Sequence, residues 1–315
     1  MPDPSLSVIL VCDDYDQVRR AVEDLASDAV ALRAEVVLAG PSAAPVAVPE
    51  AVRERLASVQ VLSVDDHRAM HRARLEGVRA ARAPVVVLAE THAWPAPGSL
   101  AALAAAVEDR CAVAGPLMRN ANPRTRASWA GFLLDYGWWW EGVARGGDGH
   151  SVPGHSCAWD REELLAAVGD DPDGLRIPYL LAERMRADGA RVRLEQAART
   201  AHLNADLGRS FLGERLVSGR FLGATRGQSW PVARRAVYAL GSPLIAPLRL
   251  FRLARLLGGS ADGRRMLRRA LPALLTGTVV GAVGEAVGYV TGRADDAAEA
   301  EYELAKERHA TPPML

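Results

Sequence analysis

Short apolar runs alternate with amphipathic stretches through the first two hundred residues. The runs at 7–12 (SVILVC), 34–40 (AEVVLAG), 59–64 (VQVLSV) and 85–88 (VVVL) are nearly continuous in Val, Ile and Leu. That is the pattern of strands buried on both faces. The spacing between them predicts helices over about 16–27 and 69–82. A third helix opens after Pro97 and Gly98 as SLAALAAAVEDR, with an Ala-rich face suited to close packing on a sheet. Residues 112–117 (AVAGPL) read as a further strand. This alternation predicts an α/β fold, a mostly parallel sheet with helices on both faces. The Pro-rich stretch from Pro41 to Pro49 reads as a loop, and the chain has no internal repeat.

The pattern changes near Arg209. Residues 209–270 hold thirteen Arg against two acids, Glu214 and Asp262, interleaved with Phe, Leu, Trp and Tyr. Arg249, Arg252 and Arg255 give a basic edge to an otherwise apolar helix, a pattern expected of a segment lying on an anionic membrane surface. Residues 271–292 (LPALLTGTVVGAVGEAVGYVTG) carry one charged residue, Glu285. They have about the length needed to cross a bilayer. Two arrangements fit: a span whose N-terminal flank of Arg264, Arg265, Arg268 and Arg269 stays cytoplasmic, or an amphipathic hairpin that packs on the protein or lies in the interface. Residues 294–315 form a charged tail, expected to be frayed or a short solvated helix.

Composition narrows the class. A chain of 315 residues can hold one large domain plus an appendage. Its formal net charge of zero supplies no global field to recruit nucleic acid. Cys12, Cys111 and Cys157 lack any CxxC spacing, which argues against a disulfide framework and a structural zinc site. Met1-Pro2-Asp3-Pro4 leads straight into the first apolar run, without a signal-peptide pattern. Lys306 is the lone lysine, a matter of base composition.

The candidate chemistry starts where the strand VVVL runs into Glu90, Thr91 and His92. A buried parallel strand delivers the following side chains to the C-terminal edge of its sheet, where ligands bind in open α/β folds. Glu90 and His92, two apart, point to the same side of an extended chain. A carboxylate and an imidazole there suit a divalent ion that also binds a diphosphate.

Residues 5–205 resemble family 2 glycosyltransferases, which have a GT-A fold and use nucleotide-sugar donors. The likeness rests on this segment, on the order of elements before it, and on the later RVRLEQAARTAHLN. In that family an apolar run ends in an Asp-x-Asp-type motif, a Pro-x-Pro-Gly-type turn and a helix; here the motif reads Glu90-Thr91-His92 and the turn Pro95-Ala96-Pro97-Gly98. The carboxylate-x-His form is similar to that of the polypeptide N-acetylgalactosaminyltransferases. The resemblance implies Mn²⁺ or Mg²⁺ as cofactor, with His202 joining Glu90 and His92 as ligands. It implies a donor site at Asp13, Asp14, Tyr15, Arg74 and Glu90. Asp13 and Asp14 equally suit helix-start acids, and Arg74 equally suits a solvated basic face with Arg72, Arg79 and Arg82.

On the acceptor side stand Trp138, Trp139, Trp140 and His155. Three consecutive Trp cannot all enter one core, so at least one faces a cleft or a lipid surface. The Gly-rich stretch between Trp140 and His155 reads as a mobile loop. The family's base is a carboxylate at the start of the helix PYLLAERMRADG, but the slot holds Ile177 and Pro178. Asp173 is the nearest choice, with Asp171 and Glu183 beside it.

The resulting expectation has three parts: residues 1–205 a GT-A domain, 206–293 a helical membrane-associating region, and 294–315 the tail. The function expected is inverting, metal-assisted transfer of a sugar from a nucleotide-sugar donor to a lipid-linked or cell-envelope glycan acceptor. The place is the cytoplasmic face of the cell membrane, on an anionic membrane surface. The missing base, and Ala39-Gly40-Pro41-Ser42 where the family has an acid ending the second strand, support an alternative: an impaired GT-A scaffold that binds nucleotide or glycan in an envelope assembly complex. A basic membrane-surface adaptor would account for the C-terminal third alone.

Overall fold

The computed structural model of the chain describes residues 3–28 and 33–314. Met1 and Pro2 of the N-terminal lead-in lie outside them, as does Leu315. The elements begin β1 (Leu6–Val11), α1 (Tyr15–Ser27), β2 (Ala34–Pro41), α2 (Glu50–Arg53), β3 (Ser58–Val64), α3 (Met70–Ala80) and β4 (Val85–Leu88). Next come β5 (Ala93–Pro95), α4 (Ser99–Glu108), β6 (Val113–Asn120), α5 (Arg126–Tyr136), β7 (Gly147–Asp148), β8 (Ala158–Asp160), α6 (Arg161–Val168), α7 (Pro178–Ala187) and β9 (Val192–His202). Among the described residues, helices follow: α8 (Ser210–Gly227), α9 (Val232–Gly241), α10 (Ile245–Gly258), α11 (Ala261–Thr291), α12 (Asp296–Leu304) and α13 (Lys306–His309).

The chain divides into two compact units, residues 1–118 with 145–201, and residues 119–144 with 202–315. Residues 119–144 thus group with the C-terminal helices, although in sequence they fall inside the expected 1–205 domain. β6 and β9 each continue past a division point.

The first unit is built on one sheet in the order β3-β2-β1-β4-β8-β6-β9-β5, with β7 paired to β9. β3, β2, β1 and β4 are parallel, as the alternation predicts. β8 runs antiparallel to both β4 and β6, so the second half of the sheet is mixed. Period-two alternation sends Val8 and Leu10 toward α1 (Val18, Val22, Leu25) and α4 (Leu100, Leu103, Val107). Ile9 points the other way, toward α3 (Leu75, Val78), α6 (Leu164) and α7 (Leu181, Met185). Both faces are covered, which is why β1 and β4 tolerate no polar position facing solvent. A central sheet flanked by helices, with one long apolar helix toward the C-terminus, is the α/β class that the GT-A resemblance implies.

One charge is buried at the start of these strands. Glu35 on β2 accepts hydrogen bonds from the Ser7 hydroxyl (2.6 Å), the Gln60 amide (2.7 Å), the Ser58 hydroxyl (3.1 Å), and the backbone N–H (2.9 Å) and Nε (2.7 Å) of Arg82. Burial pushes its pKa up, but these donors outweigh burial and hold the carboxyl at about 2.

In the second unit α11 packs along α8 through glycines. A Cβ on Gly219 or Gly223 of α8 would collide with the backbone of Gly281 or Glu285, and one on Gly284 or Gly288 with the backbone of α8. Two clusters of buried charge here are ion-paired. Arg215 makes a bidentate pair with Asp135 (2.6 and 2.7 Å), and Lys306 binds Glu214 (2.5 Å) and Glu303 (3.0 Å). The lone lysine is therefore structural.

The tail is not a frayed or solvated end. α12 is capped by Asp295, and residues after α13 fold back onto the unit. The His309 carbonyl accepts from the N–H of Asp206 (2.9 Å) and Leu207 (3.0 Å), the Asp206 carboxylate accepts from Thr311, and the Met314 N–H donates to the Ala121 carbonyl (2.7 Å). The pull comes from polar groups on the Ala121–Asn122 and Asn204–Asp206 segments, which are buried and need partners.

Candidate metal and donor site

β4 ends at Leu88, between the Ile9 carbonyl of β1, which accepts from the Ala89 N–H (3.0 Å), and the Leu88 carbonyl, which accepts from Ser156 (2.8 Å). The chain then leaves the sheet carrying Glu90, Thr91 and His92, all buried. Residues 95–99 turn back beside β9: the Ala96 N–H donates to the Arg199 carbonyl (2.8 Å), and the Arg199 N–H to the Ser99 hydroxyl (3.0 Å). Gly98, at φ +77°, supplies the left-handed residue that lets α4 start there. Three residues beyond Arg199, β9 ends in His202.

One carboxylate oxygen of Glu90 and one ring nitrogen each of His92 and His202 all lie within 4.8 Å of one another. Thr91 and His92 lie in a turn, with the Ala93 N–H donating to the Glu90 carbonyl (3.4 Å), so Glu90 and His92 meet across that turn and not along the extended chain expected; the sheet order brings the third. Around His202 the hydrogen bonds fix which nitrogen carries the proton. Asn204 Nδ2 donates to the Asn120 side-chain oxygen (3.0 Å) and the His202 carbonyl (3.0 Å), so Asn204 Oδ1 faces His202 Nδ1 (3.0 Å) as an acceptor. Nδ1 is then the N–H, and Nε2 carries the lone pair a metal requires. Burial, helped by Lys306, lowers the His202 pKa to about 4, so the ring is neutral at pH 7. The Tyr136 ring packs 4.5 Å from it, centroid to centroid. His92 Nδ1 lies 3.3 Å from Thr91 Oγ1, and His155 Nδ1 lies 3.4 Å from Glu90 Oε1. A buried carboxylate with two buried imidazoles fits a divalent ion of the Mn²⁺ type.

The other expected residues fall into three groups. Asp13 follows β1 and is gripped by His67 Nε2 (2.6 Å), Arg68 (3.2 Å) and Gln17 (3.2 Å). Burial works against its ionisation, but these partners hold the carboxyl below its ordinary value. Asp14 caps α1, accepting from the Gln17 N–H, and Tyr15 is buried with Arg19 over its ring. Arg74 lies on the buried face of α3 and is not part of a solvated basic face. His67 and Arg68 were missed as donor-side candidates, though the polar cluster Asp65-Asp66-His67-Arg68 directly after β3 marks the same sheet edge.

The carboxylates considered as base are tied to neighbours. Asp173, in the 3₁₀ turn Pro172–Leu175, contacts His71 Nε2 (3.2 Å) and Arg176 Nε (2.8 Å). Asp171 caps that turn through the Asp173 N–H (3.0 Å), and Glu183 pairs with Arg186 (2.9 Å). Of the three tryptophans, Trp139 and Trp140 are buried and Trp138 is 47% exposed. Trp140 packs edge-on against Trp129 at 5.5 Å.

No protein-family model matches the chain, and no curated protein matches it. Among solved structures it is similar to GalNAc-T7 crystallised with UDP, GalNAc and Mn²⁺, at 16% identity and a TM-score of 0.44, over 63% of this chain. The chain spans 44% of the GalNAc-T7 chain it matches. It is also similar to residues 1–349 of S. aureus TarS, at 12% identity and a TM-score of 0.45, over 96% of this chain and 92% of that one. The TarS structure in complex with UDP matches over the same shares at 11% identity and a TM-score of 0.45.

Proposed function

We propose that the chain is a metal-assisted GT-A glycosyltransferase of family 2 type. It takes a sugar from a nucleoside-diphosphate donor to a lipid-linked or cell-envelope glycan at the cytoplasmic face of the membrane, with inversion at the anomeric carbon. The observation that carries this reading is the convergence of Glu90, His92 and His202 beyond the C-terminal end of β4. When bound there, Mn²⁺ or Mg²⁺ neutralises charge that grows on the departing nucleoside diphosphate. The protein's own part is preparatory. Asn204 holds His202 in the ligating tautomer, His155 orients the Glu90 carboxylate, and Asp13 with His67 and Arg68 forms a polar edge after β1 and β3 for the nucleoside. Asp173, 22% exposed at its side chain, is our choice of proton acceptor for the incoming hydroxyl, with His71 and Arg176 fixing its position.

A second reading has its own observation. Asp173, Asp171 and Glu183 each already hold a neighbouring group, which suits a scaffold that binds donor without turning it over. Thermal-shift measurements with nucleoside diphosphates, with and without Mn²⁺, test the site. Stabilisation that requires Mn²⁺ and vanishes in His92→Ala is the expected result; the same shift in that variant would remove the metal from the mechanism. Turnover assays with common nucleotide sugars then separate enzyme from scaffold: transfer that drops about a hundredfold or more in Asp173→Asn supports the first reading. Binding without any turnover supports the second.

A further inference from the structure

The long apolar helix α11 has two unlike faces. Its exposed apolar residues are Leu271, Leu275, Val279, Val283, Val287 and Val290, spaced by four, four, four, four and three, so they form one stripe along the helix. No exposed position between Leu271 and Thr291 carries a charge. From Leu271 to Val290 the stripe runs about 28 Å. On the same side of the helix, in the two turns before it, Arg264, Arg265 and Arg268 are exposed.

The opposite face is committed to the protein along its whole length. Near its start Arg269 donates to the carbonyls of Pro123 (3.1 Å) and Arg124 (2.9 Å). In the middle Gly277 sits against Phe211 and Leu134, and Gly281, Gly284 and Gly288 meet α8 at backbone distance. Glu285, 1% exposed, is ion-paired with Arg249 of α10. At the end Arg235 donates to the carbonyls of Tyr289 (2.8 Å) and Val290 (2.7 Å).

These contacts decide between the two arrangements open from sequence. A helix crossing the bilayer would have to shed the Arg249–Glu285 pair and the α8 backbone contacts, or carry α8 into the hydrocarbon with Glu214, Arg215 and Lys306 beneath it. Buried charges and polar backbone make the second course unfavourable, and an unpaired Glu285 makes the first so. Only one side of α11 is available to lipid.

We infer that α11 lies along the membrane plane as a monotopic anchor, its valine and leucine stripe in the acyl boundary and Arg264, Arg265 and Arg268 on anionic headgroups. The choice of an anionic bilayer as the occupant rests on charge. An apolar stripe headed by three exposed arginines on one face complements a negatively charged surface with an oily layer beneath. This inference rests on the membrane-bound part of the proposed function and is independent of the chemistry at Glu90.

The experiment uses the full chain. Sedimentation with phosphatidylcholine vesicles, with and without phosphatidylglycerol, should show binding that requires the anionic lipid and weakens with salt. Val279→Glu with Val283→Glu should abolish it, and Arg264→Gln with Arg265→Gln and Arg268→Gln should weaken it by about a hundredfold. These sites are exposed, so melting temperature and Mn²⁺-dependent nucleotide binding should remain as in the parent. Cysteines placed by Arg264→Cys and by Arg293→Cys, labelled in turn with a membrane-impermeant maleimide, read the topology, because the three native cysteines are buried. Both should label from the cytoplasmic side only. Labelling from opposite sides would show a spanning helix and overturn the inference, as would equal binding to neutral vesicles. A vesicle-independent dimer that the Val279 and Val283 substitutions dissociate would assign the stripe to a second copy instead. Loss of nucleotide binding in the parent chain would fail the glycosyltransferase reading and leave the anchor standing.

Discussion

Replacing Glu35 by Gln should destabilise the first unit by about 3 kcal/mol at neutral pH, and the cost should disappear in acid. The side chain is fully buried, and its carboxylate accepts five hydrogen bonds, two of them from Arg82. Its pKa stands at about 2 against an ordinary 4.5. A difference of that size corresponds to about 3 kcal/mol of linked stability. The folded pKa is depressed, so the contribution is complete above the unfolded value and fades as pH falls toward the folded one. Gln adds a second problem, because its NH₂ must face groups that are themselves donors. Facing that NH₂, the Ser7 hydroxyl, which also accepts from the Ala83 N–H (3.2 Å), would lose the acceptor for its own proton. Urea unfolding of parent and variant, followed by tryptophan fluorescence at a series of pH values, measures the gap directly. It should be widest near pH 7 and narrow between about pH 5 and pH 2. A gap that stays constant over that range would show that the charge is not its source, and a gap under about 1 kcal/mol at pH 7 would refute the network's importance.

Lys306→Ala should lower stability by about 3–5 kcal/mol, because it takes the shared cation from buried Glu214 and from Glu303 and leaves Glu214 with Arg215 alone (3.1 Å); a melting temperature close to the parent's would show that the cluster relaxes at little cost. Thr311→Ala removes the hydroxyl between Asp206 (2.9 Å) and Asn122 (3.4 Å) and should loosen the Asn122–Asn204–His202 chain. Calorimetric titration should then show Mn²⁺ binding about tenfold weaker, and unchanged affinity would detach the C-terminal segment from the site. His67→Ala should raise the Asp13 pKa toward the ordinary carboxylate range, since the imidazole is the chief group holding it down against burial. Carboxyl-carbon NMR titration would follow it, and a resonance that titrates as before would assign the effect to Arg68 or Gln17.

What the sequence determined by itself was local. Continuous apolar runs are best satisfied by strands covered on both faces, as β1, β2 and β4 are, so the α/β class was legible from Val, Ile and Leu; β3 forms as expected but stands half-buried at the edge of the sheet. That Glu90, Thr91 and His92 follow the end of β4 was legible for the same reason, but the extended spacing expected to put Glu90 and His92 on one side is not what joins them, because Thr91 and His92 lie in a turn closed by the Ala93 N–H on the Glu90 carbonyl (3.4 Å). Three things needed the tertiary structure. His202 stands more than a hundred residues from His92 and meets it because β9 returns through the sheet, an outcome of strand order that no local pattern encodes. Residues 119–144 look like part of the first domain in sequence, yet they join the C-terminal helices, because Asp135 pairs with Arg215 and Ala121 and Asn122 bind the returning tail. Residues 271–292 read equally as a span or a surface helix, since hydropathy averages over the circumference of a helix. Only packing separates the glycine face with its paired Glu285 from the stripe of valines left outside.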